Sequence, residues 1–485
     1  MRQLTIERSA VIILFALLFA LATFIPIDTD TWWHLRSGEY TLTNGMIYAD
    51  PFSFTMAGEP WINHSWGSQI ILYGIWRLAG NFGLAIYTSL LATAGMAVVY
   101  RMCTGNVYLR AFALVIGAAT AAVFWSPRPQ MLSFFLSSVL LYLLFLYKRE
   151  KLDRLWLVPI VMGIWGNLHA GFSIGFILLA GAIAGETLGN VLNSNGKNVV
   201  PWNGVRKLVI VTVVSVAALL VNPYGLNILT VPFQTVSIGA LQNFIQEWNS
   251  PNFHERQTWP FIFLLIGLLG AVGGSRQKLD WTDFVLVSGT VFLALLAGRN
   301  IAVFAVVATP VLTYHLDATL AERGWALQPV RYATPRMARL NLVLVTIISL
   351  GALAKVLIVL DGKSVAEAEE QYLPVRVAQY LNAERPAGPM FNSYNWGGYL
   401  MFAAPEYPVF VDGRTDLYGD EFLNIYLQTA TGRENWQQTL NDYGINLVVI
   451  EPQSGLARVL RSEPGWQQVY ADDLAVVFIR EDVNG

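Results

Sequence analysis

The sequence holds one cysteine, Cys103, among 485 residues. That excludes an intrachain disulfide framework and any thiolate pair spaced to bind zinc. Charge is nearly as scarce: Asp, Glu, Lys and Arg make up 13% of the chain, about half the share of an ordinary soluble domain. The net charge of −2 offers no basic face, so nucleic-acid binding is not expected. Histidine occurs five times, and no HExxH or comparably close spacing points to zinc. A small-x-small cleavage site is missing after the first apolar stretch, Ala10 to Ile25, so that stretch reads as an uncleaved first span. No internal repeat of the kind that marks many transporters is visible.

What the chain has in excess is apolar. Hydrophobic residues reach 54%, and they fall in blocks near the length of a bilayer-spanning helix, the pattern of an α-helical polytopic membrane protein. About eleven spans are expected, near residues 9–27, 82–100, 108–126, 130–147, 155–168, 171–188, 207–222, 259–274, 283–298, 301–316 and 340–360. The fifth and sixth form a broken or tilted pair around Asn167-Leu168-His169-Ala170-Gly171.

Basic residues orient these spans. With a cytoplasmic N-terminus, the inner side carries Arg2 and Arg8, Arg101 and Arg110, then Lys148, Arg149, Lys151 and Arg154. It also carries Lys197, Arg206 and Lys207, Arg276 and Lys278, and Arg323, Arg331, Arg336 and Arg339. The outer connections hold only Arg36, Arg77, Arg128, Arg256 and Arg299. This asymmetry follows the positive-inside rule. An odd number of spans then places the tail after Asp361 outside the plasma (inner) membrane.

The expected domains are residues 1–360, transmembrane, with a first outer loop at 28–66, and an extracytoplasmic domain at 361–485. In the latter, short runs at Met390–Asn392, Val409–Val411, Leu447–Ile450 and Ala475–Ile479 read as strands. Between them, Val375–Asn382, Glu421–Thr429, Trp436–Tyr443 and Leu456–Ser462 have helical spacing. That alternation predicts a small α/β domain with a largely parallel sheet.

Chemistry concentrates just after the first span, in Pro26-Ile27-Asp28-Thr29-Asp30-Thr31-Trp32-Trp33-His34-Leu35-Arg36. Ionisable groups at a membrane boundary are costly to desolvate and usually serve a wet cavity. Asp28 or Asp30 is a candidate general base for an acceptor hydroxyl, or a ligand for a divalent cation that neutralises a departing phosphate. The structural alternative is a helix N-cap. Trp32 and Trp33 read as interfacial anchors. Asp50-Pro51-Phe52-Ser53 and Gly58-Glu59-Pro60-Trp61 have turn chemistry, and Ser65 to Leu78 is an amphipathic stretch expected to form a surface helix.

Other polar residues map to the same side. His34, His64, His169 and His254 do so, with Asp50, Glu59, Glu247, Arg128 and Arg299, and their convergence predicts one outward cavity. Arg128 and Arg299, with Arg36 of the motif, are candidate phosphate-binding groups, since guanidinium grips phosphate bidentately. Snorkelling at a span end is the alternative. His169 is a candidate proton shuttle, metal ligand or hydrogen-bonded core residue. Glu247 brings a late acidic group, and the connection from Asn222 to Thr258 is long enough to be a substrate lid. Asp30, His34 and His64 are the candidate metal ligands. Asp412 and Arg414, in Val411-Asp412-Gly413-Arg414-Thr415-Asp416, follow an expected strand, the end where α/β proteins bind ligands; a loop brace is the favoured reading. Lys355 is nearly the only charge deep in a span.

The pattern Asp-x-Asp-x-Trp-Trp-His-Leu-Arg-x-Gly-Glu at 28–39, then Asp50-Pro51-Phe52-Ser53 and Trp61-x-x-His64-x-Trp66, resembles bacterial family-39-like members of the GT-C membrane glycosyltransferases. A first span ending in DxD, a long first loop with a surface helix and an external C-terminal domain are similar to the same class. The resemblance covers the whole chain in architecture, while its motifs lie mostly in residues 28–66. It implies sugar transfer from a polyprenyl-phosphate donor to a glycan, lipid or protein acceptor on the outer face, with a first-loop acid as base or metal ligand. Asp28 and Asp30 match that position. His34 and His64 are not general features of the class, so metal dependence stays open. A lipid-linked-sugar flippase and a non-catalytic envelope assembly protein are the alternatives. Charges deep in several spans, which transport would want, are missing here.

Overall fold

A computed structural model describes residues 4–194, 196, 198–237, 239, 246–325 and 332–481. Arg2, Lys197 and Arg331, assigned above to the inner side, lie outside the described residues. The chain is an α-helical membrane protein with a small sheet near its C-terminus, and it divides into two compact units.

The first unit comprises residues 1–24, 85–225 and 246–359. Three of its helices start at a side-chain cap. Thr5 Oγ1 accepts the Arg8 N–H at the head of α1 (Ile6–Ala22). Asn106 Oδ1 accepts two N–H groups at the head of α4 (Val107–Ala121). Asp280 Oδ1 accepts the Thr282 N–H at the head of Trp281–Leu296. Such caps satisfy donors that the first turn cannot.

Among the described residues, eight helices are long and apolar enough to cross a membrane. With α1, α6 (Leu157–Leu168) and Trp281–Leu296, which are shorter, a helix stands at every expected span. The second expected span is part of α3 (Trp66–Met102), which also takes in the amphipathic Ser65–Leu78 stretch and breaks at Gly80 (φ 54°, ψ −143°). Only glycine adopts that backbone at low cost. The remaining spans are α5 (Gln130–Lys148), α7 (Phe172–Leu192), α8 (Trp202–Leu219), Trp259–Gly274, Ile301–Glu322 and Pro335–Val359.

The unit is built around Ile301–Glu322, 72% of whose apolar window is buried, against 6% for Pro335–Val359. The former packs on α4 and Trp259–Gly274; the latter lies on α1. That low burial is affordable only in lipid, where an apolar face needs no protein cover. Lys355 is the exception on this helix, and its ammonium donates to the Ala20 and Thr23 carbonyls at the end of α1, the former at 2.5 Å. At one end of α5, Lys148 pairs with Glu186 and Asp280, and Arg149 with Asp283, joining three helices.

The second unit comprises residues 25–84, 226–245 and 360–485, so the first loop and the C-terminal segment share one compact body. Helix α2 (Asp30–Asn44) packs on Tyr394–Ala403. The sheet has the order β1-β2-β4-β3, from β1 (Met390–Asn392), β2 (Leu447–Ile450), β3 (Trp466–Ala471) and β4 (Val476–Arg480).

Two expectations for this unit are corrected. The sheet is mixed, not largely parallel: only β1 and β2 run parallel, while β4 is antiparallel to β2 and to β3. Val409–Val411 is buried but is not a strand of the sheet. Its backbone is taken by other partners: Val409 exchanges hydrogen bonds with Phe52 and Phe54 of the first loop, and the Asn392 side chain bonds Phe410 N and Val411 O. The strand the sequence hid, β3, is half-exposed at the sheet edge and carries Gln467 and Gln468 in place of an apolar run.

Candidate active site

The motif after the first span forms the start of α2. Asp28 Oδ1 accepts the Asp30 N–H at 3.0 Å, so the first acid of the DxD serves as a cap for this helix. Asp30 opens the helix, and its Oδ1 lies so close to the Gly413 α-carbon that a methyl group there would strike it. The Trp33 indole Nε1 lies beside the same glycine and, among the described residues, is buried without a hydrogen-bond partner.

Trp32 and Trp33 are not interfacial anchors. They are 4% and 6% exposed, Trp32 edge-on to Tyr399 at 5.0 Å and Trp33 against Trp61. The partner is Tyr394–Ala403, a helix far off in sequence, so no local pattern announces this burial.

The turn that carries Gly413 is fixed by a buried ion cluster. Arg414 makes two bonds to Asp412 (Nε–Oδ1 2.8 Å, Nη2–Oδ2 2.6 Å) and one to Asp50 Oδ1 at 2.5 Å; Arg414 and both acids are essentially unexposed. Asp50 also accepts the N–H groups of Phe52 and Ser53 and the Ser53 hydroxyl. The Tyr418 hydroxyl donates to Asp412 at 2.9 Å. The Phe52 and Trp61 rings face the guanidinium at 5.2 and 4.9 Å. Burial alone would weaken the Arg414 charge, but the acids, Asp412 foremost, outweigh it and raise its pKa well above the ordinary value. Desolvation, then Asp412, raises the Tyr418 hydroxyl in turn. The Asp412–Arg414 brace was legible; the Asp50 connection was not.

His34 accepts from Gln69 Nε2 at 3.3 Å, and Gln69 forms a paired amide contact with Asn63 at 2.7 and 2.8 Å. His64 Nδ1 lies 2.8 Å from the Ser65 hydroxyl. Among the described residues no three of His, Cys, Asp and Glu converge on a point that suits a metal. Asp30, His34 and His64 therefore do not form a three-ligand set, and the bond from Gln69 occupies His34 Nδ1, one of the nitrogens a metal would need. Arg36 is drawn to Glu39 at 2.6 Å within α2, and Glu39 also accepts from Tyr73.

In the first unit, three residues from distant connections meet. Arg128 binds Glu247 at 3.0 Å, and Arg299 lies 3.6 Å from the other Glu247 oxygen, with its guanidinium 4.2 Å from the Trp248 ring. Arg128 also donates to Gln130 Oε1. Burial would raise the Glu247 carboxyl, but the two arginines hold it below its usual range. One carboxylate between two guanidiniums leaves a net positive site, suited to an anion. His169 lies in the same unit, between α6 and α7, bonded to Ser133 and Gly171. His254 is exposed. The long connection bears short helices at Gly225–Leu229, Val231–Ser237 and Gln246–Trp248. Residues 238 and 240–245 of this candidate lid lie outside the described residues.

No family model matches the sequence, and no curated protein matches it. Solved structures do. The chain is similar to an archaeal oligosaccharyltransferase, AglB from Archaeoglobus fulgidus in complex with an inhibitory peptide and a dolichol-phosphate. The TM-score is 0.59 at 12% identity, over 98% of this chain and 74% of that one. The apo form of the Archaeoglobus fulgidus oligosaccharyltransferase gives 0.56 at 12% identity, over 99% and 75%. ArnT from Cupriavidus metallidurans bound to undecaprenyl phosphate gives 0.49 at 14% identity, over 97% and 96%. Identity this low speaks for the fold alone. The chain shares the fold of the Archaeoglobus fulgidus oligosaccharyltransferase along nearly its whole length.

Proposed function

We propose that this chain transfers a sugar from a polyprenyl-phosphate donor to an acceptor hydroxyl at the outer face of the membrane, with the Asp28–Asp30 pair supplying the base. The observation that carries the reading is the placement of Asp30: a carboxylate held against Gly413, beside an indole N–H that is buried and, among the described residues, unpartnered, at the head of the helix that follows the first span. Its setting supports it, since the similar AglB structure contains a dolichol-phosphate.

The acceptor hydroxyl gives its proton to the carboxylate as its oxygen attacks the sugar C1. The bond from C1 to the phosphate oxygen breaks, and its electron pair leaves on the polyprenyl phosphate. A single displacement of this kind inverts the anomeric centre. Negative charge grows on the leaving phosphate, and oriented cationic donors would stabilise it. No step is routed through a metal, since the candidate ligands do not converge. The N-terminus is cytoplasmic and the C-terminal segment extracytoplasmic in this reading, following the Lys and Arg distribution.

Asparagine substitutions test the base. Asp28→Asn keeps a carbonyl oxygen that can still cap α2, so it removes charge and spares the helix. Loss of transfer in Asp28→Asn alone assigns the base to Asp28, and loss in Asp30→Asn alone assigns it to Asp30. Full transfer of a radiolabelled sugar from polyprenyl phosphate by both variants would overturn the proposal.

A further inference from the structure

Trp33 stands between two glycines of the second unit. A methyl group on Gly398 would lie 3.2 Å from its Cδ1 atom, and one on Gly413 would lie 3.2 Å from Nε1. The His34 ring lies over the indole at 3.5 Å between centroids, and Trp61 follows at 6.2 Å. The edge that carries the N–H therefore faces glycines, which have no side chain to accept it. Among the described residues this N–H has no hydrogen-bond partner, and Trp33 is 6% exposed. A buried donor left unmade is costly, so an acceptor within reach of it matters. Asp30 is that acceptor: the same methyl on Gly413 would lie 2.2 Å from its Oδ1, so carboxylate and N–H converge on one point. The bond is not made in the conformation seen here, and a turn of the half-buried Asp30 side chain makes it. A carboxylate accepts about four hydrogen bonds, so this one adds to any others.

We propose that Trp33 is a positioning residue for Asp30, its indole N–H donating to the carboxylate and fixing where that carboxylate points. The proposal rests on the transfer reading above and narrows the base to Asp30. Asp30, Trp33, Gly398 and Gly413 all belong to one compact unit. Asp30 and Trp33 are three residues apart on α2, the spacing that puts two side chains on one helix face. An indole N–H can only donate and an ionised carboxylate can only accept, so the bond has one polarity. It favours the ionised form, which a base needs before it takes the acceptor proton. The titratable neighbours are Asp28 and His34 on the same stretch, Asp412 and Arg414 beside Gly413, and Asp416, which accepts the Trp61 indole N–H at 3.1 Å. Further along α2, Arg36 and Glu39 pair with each other, and Tyr73 donates to Glu39. The helix Tyr394–Ala403, packed on α2, brings Tyr394 and Tyr399.

The test uses full-length protein labelled with 15N-tryptophan in lipid nanodiscs, the Trp33 indole signal being assigned by its loss in Trp33→Phe. The expected result is an indole proton that moves downfield as pH rises and one carboxylate ionises. Asp30→Asn should abolish that movement, and Asp28→Asn should leave it. The Trp32 indole, which packs on Tyr399, serves as the internal control and should stay still. In transfer from a polyprenyl-phosphate sugar, Trp33→Phe should lower kcat about tenfold with KM unchanged, the worth of one charge-assisted bond. It should also move the acid limb of the rate profile up by about one pH unit, because the bond that favoured the ionised base is gone. A Trp33 signal indifferent to pH, a movement that survives Asp30→Asn, or a Trp33→Phe variant with the native acid limb would each overturn the proposal. The spectroscopic arm needs no turnover, so its failure is distinguishable from failure of the transfer reading, which the aspartate variants decide.

Discussion

Asp30 Oδ1 stands where a side chain on residue 413 would begin. Glycine is required there for space, not for backbone freedom, because Gly413 is not among the residues of positive φ. The two residues are 383 positions apart in a chain of 485, and each constrains the other.

The first prediction follows from that contact. Gly413→Ala should fold but displace the Asp30 carboxylate, and a shift of about 1 Å at a reacting group costs on the order of 10²-fold in rate. The stability cost of Gly413→Ala should shrink in an Asp30→Ala background, because the clash has lost its second partner. Equal costs in both backgrounds would show that the contact does not exist.

Arg414 offers a larger effect. Replacing it with Met leaves Asp50 and Asp412 buried with their cation gone, which costs about 3–5 kcal/mol. Thermal unfolding in nanodiscs should show the loss. Arg414→Lys should recover only part of it, because a point charge cannot reproduce the paired bonds to Asp412.

Glu247 predicts a pH dependence. Its carboxyl is held below the usual 4.5 by Arg128 and Arg299. A depressed acid contributes stability that is present above the unfolded value and is lost as pH falls through the folded one. The stability difference between native protein and Glu247→Gln should therefore be full above about pH 4.5 and vanish only below it. A difference already lost by pH 6 would contradict the contact.

Lys355 predicts a cost inside the membrane unit. Its ammonium caps two carbonyls at the end of α1, and a hydrogen bond to a charged group contributes roughly 1.5–3 kcal/mol. Lys355→Met should lose about that much in thermal unfolding. A Met variant as stable as the native protein would show that the contact carries no weight.

The legible part of this protein is what short-range pattern encodes. Eleven apolar blocks mark the helices because a lipid-spanning segment must satisfy its own backbone and show apolar side chains along its full length. Asp28 at a helix start, the turn at Asp50 and the Asp412–Arg414 brace are likewise local, each set by a side chain reaching a backbone group or partner a few residues away. Trp32 and Trp33 misled because an aromatic pair beside a span looks the same whether it meets lipid headgroups or a distant helix. Strand β3 escaped because an edge strand need not be apolar.

Which residues meet was beyond the sequence. It named Arg128, Glu247 and Arg299 separately, and only the folded chain puts one carboxylate between two guanidiniums. It named Asp30 and Gly413 in different motifs, and only the fold makes the glycine a condition of the aspartate's place. Composition and periodicity fix the membrane and the helices, because solvent acts on each residue locally. The ion cluster at Arg414 and the seat of Asp30 were decided by tertiary structure, because burying a charge is tolerable only when its partners arrive from elsewhere in the chain.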